Sequence, residues 1–156
     1  MHAKRKPFAR CLDIVAVTPE IVVAPVTEAD LPEILRLNAR TFGPGRFTRT
    51  AYRVREGLPD ISPFCLLGRI SDELVASIRF SEITIGGQAG ALLLGPLIVE
   101  ARYAGLGYGK RLIADGMEKA RAAGIKIVIL VGDEPYYRRF GFKPVPPGRI
   151  QLPGPV

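Results

Sequence analysis

The sequence predicts one mixed α/β domain, a largely antiparallel sheet with helices on both of its faces. Three observations lead there. The chain has 156 residues, a length that suits one hydrophobic core rather than two. Apolar spacing switches along it between the 3.6-residue repeat of helices and the alternating or solid runs of strands. The resulting order is β-α-α-β-β-β-α-β-α-β, in which the three consecutive strands are joined by turns too short for anything but antiparallel pairing.

Each element has a local reason. Residues 1–18 read as an N-terminal extension and 19–156 as the domain. Ile21-Val22-Val23-Ala24-Pro25 is a β-branched run and a first strand. Thr27, followed by Glu28 and Asp30, suits an N-cap and an acidic first turn. Leu31, Ile34, Leu35 and Phe42 then recur at helical spacing, so a helix over about 28–41 is expected, stopped by Gly43-Pro44-Gly45. A second helical piece is expected from Arg49 to Glu56. Phe64 to Leu67 is a strand, Ser71-Asp72-Glu73 a turn, and Leu74 to Ile85 a longer strand. After Gly86-Gly87, Ala91 to Val99 returns as an apolar strand. Pro96 inside it cannot donate to a ladder, which marks a bulge, an edge, or a strand parting from its neighbour.

A glycine loop, Gly105-Leu106-Gly107-Tyr108-Gly109, runs into a helix whose apolar stripe is Leu112, Ile113, Gly116, Met117 and Ala120 and whose terminator is Gly124. Lys126 to Val131 is a solid apolar strand, as expected when both faces are covered. Gly132-Asp133-Glu134-Pro135 leads into a short helix, Tyr136 to Phe140, and Gly141-Phe142 opens a last extended stretch before a proline-rich tail. No internal repeat interrupts this order.

Composition excludes whole classes of chemistry. The only histidine, His2, stands beside the first residue, which argues against histidine triads and zinc-protease motifs. Cys11 and Cys65 are too few for a disulfide framework or a four-ligand zinc site, so no metal is expected. No apolar run reaches the ~18 residues of a membrane span. The N-terminal Lys4-Arg5-Lys6 and the apolar stretch after Cys11 resemble a secretory leader, but Asp13 breaks the stretch and no small-residue cleavage site follows. The expected setting is therefore cytoplasmic. A net charge of +7 attracts polyanions such as nucleic acid, acidic lipid or a phosphate-rich cofactor. With no tryptophan and dispersed basic residues, a nucleic-acid partner is disfavoured.

A strand, glycines and a helix start form a general anion-binding arrangement, because the first helical amides have no internal acceptor. Two common nucleotide loops nevertheless fail. A Walker loop needs Gly at 104 and Ser or Thr at 111, where the chain has Ala104 and Arg111. A dinucleotide fingerprint from Gly105 needs Gly at 110, where the chain has Lys110.

The stretch from Leu94 to Phe142 instead resembles the GNAT superfamily of acyl-CoA-dependent N-acyltransferases. The resemblance is carried by Leu94-Gly95-Pro96-Leu97-Ile98-Val99, by Ala104-Gly105-Leu106-Gly107-Tyr108-Gly109-Lys110, and by Tyr137-Arg138-Arg139-Phe140-Gly141-Phe142. The family's pyrophosphate loop reads Gln/Arg-x-x-Gly-x-Gly/Ala, which Gly107 and Gly109 meet and Ala104 does not. Tyr137, Gly141 and Phe142 meet its Tyr-x-x-x-Gly-Phe. The upstream order also suits that fold, which has six to seven strands.

This resemblance implies acetyl-CoA as acyl donor and a small-molecule or peptide amine as acceptor, with a homodimer among the compatible states. The backbone of Leu97, Ile98 and Val99 would bind the pantetheine arm as an added strand. Backbone amides from Ala104 to Lys110 would cradle the diphosphate, with Arg102 or Lys110 replacing the charge that Ala104 lacks. Tyr137 would protonate the departing thiolate. Glu82, Asp133 and Glu134 are the carboxylates available as a general base, and none is singled out. Arg46, Arg49, Arg53 and Arg55 lie where the family shapes its acceptor pocket. The reading from another class is a catalytically silent acyl-CoA-binding or regulatory module on the same fold.

Overall fold

The computed structural model describes residues 18–42 and 55–151. Among them a five-stranded sheet runs in sequence order, β1 (Val22–Pro25), β2 (Leu66–Ile70), β3 (Glu73–Ile85), β4 (Gln88–Val99) and β5 (Ile127–Ile129). The first four pair antiparallel and β5 joins β4 in parallel. The β2–β3 turn has Ser71 and Asp72 both at positive φ, the left-handed twist that a two-residue hairpin loop requires.

Two helices cover the sheet. A 3-10 turn, Glu28–Asp30, leads into α1 (Leu31–Phe42), and α2 (Tyr108–Ala122) follows the glycine loop. Thr27 starts the first of these by donating its backbone N–H to Asp30 Oδ2 at 2.8 Å and its hydroxyl at 2.9 Å. Leu37 of α1 packs with Val26, Leu67, Leu74 and Ile98 on one face. Leu112 and Ile113 of α2 pack with Ile78, Phe80, Leu92 and Leu94 on the other. Gly116 makes the second contact so close that an ideal Cβ there would lie 2.6 Å from Phe80 Cζ and nearer still to Cε2. A short helix, α3 (Glu134–Arg138), follows β5.

Arg69 of β2 ties α1 to the sheet, with ion pairs of 3.1 Å to Asp30 and to Glu33. Hydrogen bonding to Thr27 chiefly, and to Arg69, holds the Asp30 carboxyl below its ordinary value, and the Arg69 hydrogen bond does the same for Glu33.

Three expectations need correction or limits. The sheet has five strands among the described residues, fewer than six to seven. The extended stretch after Gly141 joins no ladder, since Pro144, Pro146 and Pro147 remove the donors a strand would need. The strand expected from Phe64 begins at Leu66, because Ser62 accepts the Phe64 amide and Cys65 bonds back to Ser62 in a turn. The N-terminal arm with His2 and Cys11, and most of the helix expected over 49–56, fall outside the described residues.

Candidate active site

The site is built on the parting of two strands. β4 pairs with β5 only at Ala91, Leu92 and Leu93, opposite Ile127, Val128 and Ile129. Beyond Leu93 the β4 backbone bonds to β3 alone, through Leu94, Leu97, Ile98 and Val99. The β3–β4 register slips there. Phe80 faces Leu94 and Ile78 faces Leu97, so Gly95 and Pro96 both oppose Arg79. This is the bulge that Pro96 foretold. It bends β4 away from β5 and leaves the Leu94–Val99 edge without a strand partner among the described residues. An extended chain can add to such an edge by main-chain hydrogen bonds.

The glycine loop stands at the start of α2. Gly107, its N-cap, has φ 88°, and Gly105 has φ 76°, values that L side chains rarely adopt. Neither would meet an atom within 4 Å if it carried a Cβ, so their bare backbone faces open space. The bond that closes the first helical turn runs from Arg111 N–H to Gly107 C=O at 3.0 Å. The amides of Tyr108, Gly109 and Lys110 therefore have no acceptor within the helix. Together with the helix dipole they make a concave, positive surface for an anion.

The loop's side chains divide the work. Tyr108 is buried and its hydroxyl donates to Pro19 C=O, which pins the helix start to the chain before β1. Leu106 and Lys110 are exposed beside the loop. Ala104 ends a 3-10 turn, Ala101–Tyr103, and brings no polar side chain. Arg102 is bound to Glu73, so Lys110 is the cation left nearer the loop.

Two tyrosines of α3 face different surroundings. The Tyr136 hydroxyl lies 3.3 Å from where a Gly109 Cβ would stand, beside Leu97 and Val99. Tyr137 packs on Gly132, and its ring meets Tyr136 edge-on at 4.9 Å and Phe142 at 6.0 Å. Burial, and secondarily Tyr136, raises the Tyr137 hydroxyl above its ordinary value of 10.0, so it is protonated at neutral pH. Tyr137 also lines a groove of about 810 Å³ along β5 and the proline-rich segment, together with Met117, Leu130, Phe140 and Pro146. No residue of β4 or of the glycine loop lines that groove.

The three carboxylates considered as bases are all exposed. Glu82 sits on β3 beyond the bulge, Asp133 stands at the N-cap position of α3 without a side-chain cap bond, and Glu134 pairs with Arg138. Arg46, Arg49 and Arg53 lie outside the described residues, whereas Arg55 rests against the bulge. Arg79, directly across from Gly95 and Pro96, has no signal in the sequence, because its place depends on the slip in register.

Comparison with known proteins agrees with this geometry. The acetyltransferase (GNAT) family model matches residues 31–142. The uncharacterized N-acetyltransferase YjhQ of Escherichia coli is 35% identical over 123 residues, covering 75% of this chain. The chain spans 66% of that relative's length, just under two thirds. A GNAT family acetyltransferase from Brucella melitensis, solved in complex with acetyl-CoA, has TM-score 0.68 and 26% identity over 87% of this chain and 94% of its own. YhbS of Escherichia coli, solved in complex with CoA, matches in fold with TM-score 0.68 and 23% identity, over 80% of this chain and 69% of its own. On its matched span and its fold, this chain belongs to the GNAT family of acetyltransferases.

Proposed function

We propose that the chain transfers an acetyl group from acetyl-CoA to a primary amine. The observation that carries this reading is the pairing of two features on one side of the molecule. A strand edge opens at Leu94–Val99, and acceptor-free amides at Tyr108–Lys110 stand beside it. The arm of a CoA thioester can lie along the first while its diphosphate meets the second. The bare backbone of Gly105 and Gly107 leaves room for such a group. Bound acetyl-CoA supplies an activated acyl group; the rest is the work of this chain.

The backbone groups of Leu97, Ile98 and Val99 that do not bond to β3 hold the pantetheine arm and orient the thioester carbonyl. Ala104, Gly105, Leu106, Gly107, Tyr108, Gly109 and Lys110 form the phosphate cradle. Tyr137, kept protonated at neutral pH by its raised pKa, donates its proton to the departing thiolate. The amine attacks in its neutral form and gives up its proton to water or a carboxylate. No helix among the described residues is long and apolar enough to cross a membrane.

The test is release of free CoA thiol from acetyl-CoA over a panel of primary amines, with mass spectrometry of the acylated product. Amine-dependent thiol release supports the enzyme. Tight acetyl-CoA binding with no amine-dependent release would instead support the silent acyl-CoA-binding module.

A further inference from the structure

Buried polar atoms without partners include two arginine nitrogens at the β4 bulge. Among the described residues they are Asn38 Oδ1, Arg55 Nε, Arg79 Nε and Ser81 Oγ. Phe80 points at α2, where it meets Gly116, so its neighbours Arg79 and Ser81 point to the opposite face, the one α1 covers. Asn38 belongs to α1 itself. Arg55 reaches the same place from the segment after α1. Its Nη2 lies 2.9 Å from where a Gly95 Cβ would stand.

The two guanidiniums are close enough to repel. Burial first, and the Arg79 charge second, push Arg55 down to about 10. Arg79 has partial relief on its outer side, where Nη2 donates to Pro59 C=O at 3.0 Å and Nη1 lies 3.7 Å from the exposed Asp60. No carboxylate pairs with Arg55 among the described residues. Placing a cation in a half-buried site beside another cation is unfavourable unless an anion completes the arrangement. The CoA diphosphate is not that anion, because its cradle belongs to α2, on the other face of the sheet.

We infer that Arg55 and Arg79 bind an oxyanion carried by the acceptor, so that the acetylated substrate is a primary amine bearing a carboxylate or a phosphate. The planar donor fork of arginine suits either group in bidentate fashion. The inference rests on the acetyl-transfer reading for its chemistry, but the anion site itself does not. Bound at the bulge, the oxyanion anchors the acceptor beside the strand edge where the thioester lies. Its amine then attacks the carbonyl carbon, the C–S bond breaks, the thiolate takes a proton, and the amine proton passes to solvent.

Two readouts test this on the full chain. Glycine is compared with glycinamide, and phosphoethanolamine with ethanolamine, by calorimetric binding to the CoA-saturated protein and by thiol release from acetyl-CoA. The acidic member of at least one pair should bind at least tenfold more tightly, and the pair concerned distinguishes carboxylate from phosphate. R55Q should erase that preference and leave acetyl-CoA affinity within twofold, R55K should keep part of it, and R79Q serves as the second variant should R55Q fail to fold. Equal binding of acidic and neutral members overturns the inference even if neutral amines turn over. Preferential binding of an acidic amine, lost in R55Q, upholds the anion site even if no amine releases thiol, and that second result would count against acetyl transfer alone.

Discussion

Replacing Gly107 by Asp tests the phosphate cradle most directly, and Gly107→Asn is its natural control. Both side chains have nearly the same shape, and both tolerate the left-handed backbone better than other L residues. Gly107 sits at φ 88° with nothing within 4 Å of an added Cβ, so neither substitution meets a clash in the protein itself. Each should cost about 1–2 kcal/mol of stability from backbone strain, with nearly equal melting temperatures. Their difference lies in charge. A carboxylate about 5 Å from a phosphate in a partly solvated site, at an effective dielectric near 20, repels it by ~3 kcal/mol. Partial solvation and salt reduce this, so we expect Asp to weaken acetyl-CoA binding by at least ~2 kcal/mol relative to Asn, about 30-fold. Calorimetric titration at low and high salt provides the measurement, and the gap should narrow as salt rises. Equal affinity in the two variants would refute the cradle, because the same geometry with and without the charge would then have been read identically.

Other perturbations probe separate parts of the molecule. Tyr137→Phe keeps the ring packed on Gly132 and should leave acetyl-CoA affinity nearly unchanged, while the rate falls by roughly 10²–10⁴, as loss of a general acid does; single-turnover rates equal to wild type would move attention to Tyr136, whose hydroxyl stands beside Gly109. Gly116→Ala drives a methyl group into the Phe80 ring and should destabilise the fold by about 1–3 kcal/mol in urea titration, and an unchanged midpoint would show that α2 can shift outward freely. The lowered Asp30 and Glu33 carboxyls contribute stability that is present above their ordinary values of 3.8 and 4.5 and is lost as pH falls through their lower folded values. Arg69→Ala should therefore flatten acid unfolding in that window and reduce stability at neutral pH, and a stability-pH curve parallel to wild type would refute this account of the clamp.

What could be read from the sequence was what depends on neighbours in the chain. Pro96 cannot donate to a ladder wherever it stands, so a disturbance of β4 was legible without knowing its partner, and it appears as the slip between Ile78 and Phe80. The stripe of Leu112, Ile113, Gly116 and Ala120 follows from helical spacing and faces the sheet as expected. β5 was expected from Lys126 to Val131 and pairs only over Ile127–Ile129. Its length is set by where β4 turns away at the bulge, not by the apolar run itself. Arg102 was a plausible charge for the cradle until folding placed Glu73 against it, 29 residues distant in sequence. The pairing of Arg55 with Arg79 was illegible for the same reason. It needs a residue from the segment after α1 and a mid-strand residue brought together over a register slip, and no local pattern encodes that meeting.

The same two cations bear on how the acceptor becomes a nucleophile. Glu82, Asp133 and Glu134 are exposed, and Glu134 is already engaged by Arg138, so none is held as a dedicated base. An amine attacks only when neutral, and a nearby positive charge favours that form by lowering the amine pKa. A carboxylate on the acceptor neutralises one of two guanidiniums, which leaves a net positive field at the bulge, whereas a phosphate of nearly two charges would leave none. A residual charge at about 6 Å and an effective dielectric near 20 is worth ~3 kcal/mol, or about two pKa units, before solvent screening. In this arrangement the anchor for the substrate's negative end also prepares its amine. Water can then carry the proton away without a carboxylate in contact. Removing Arg79 by R79Q should accordingly shift the pH dependence of kcat to higher pH for a carboxylate-bearing amine. A profile that falls in amplitude without shifting would mean that the arginines position the acceptor and do nothing to its proton.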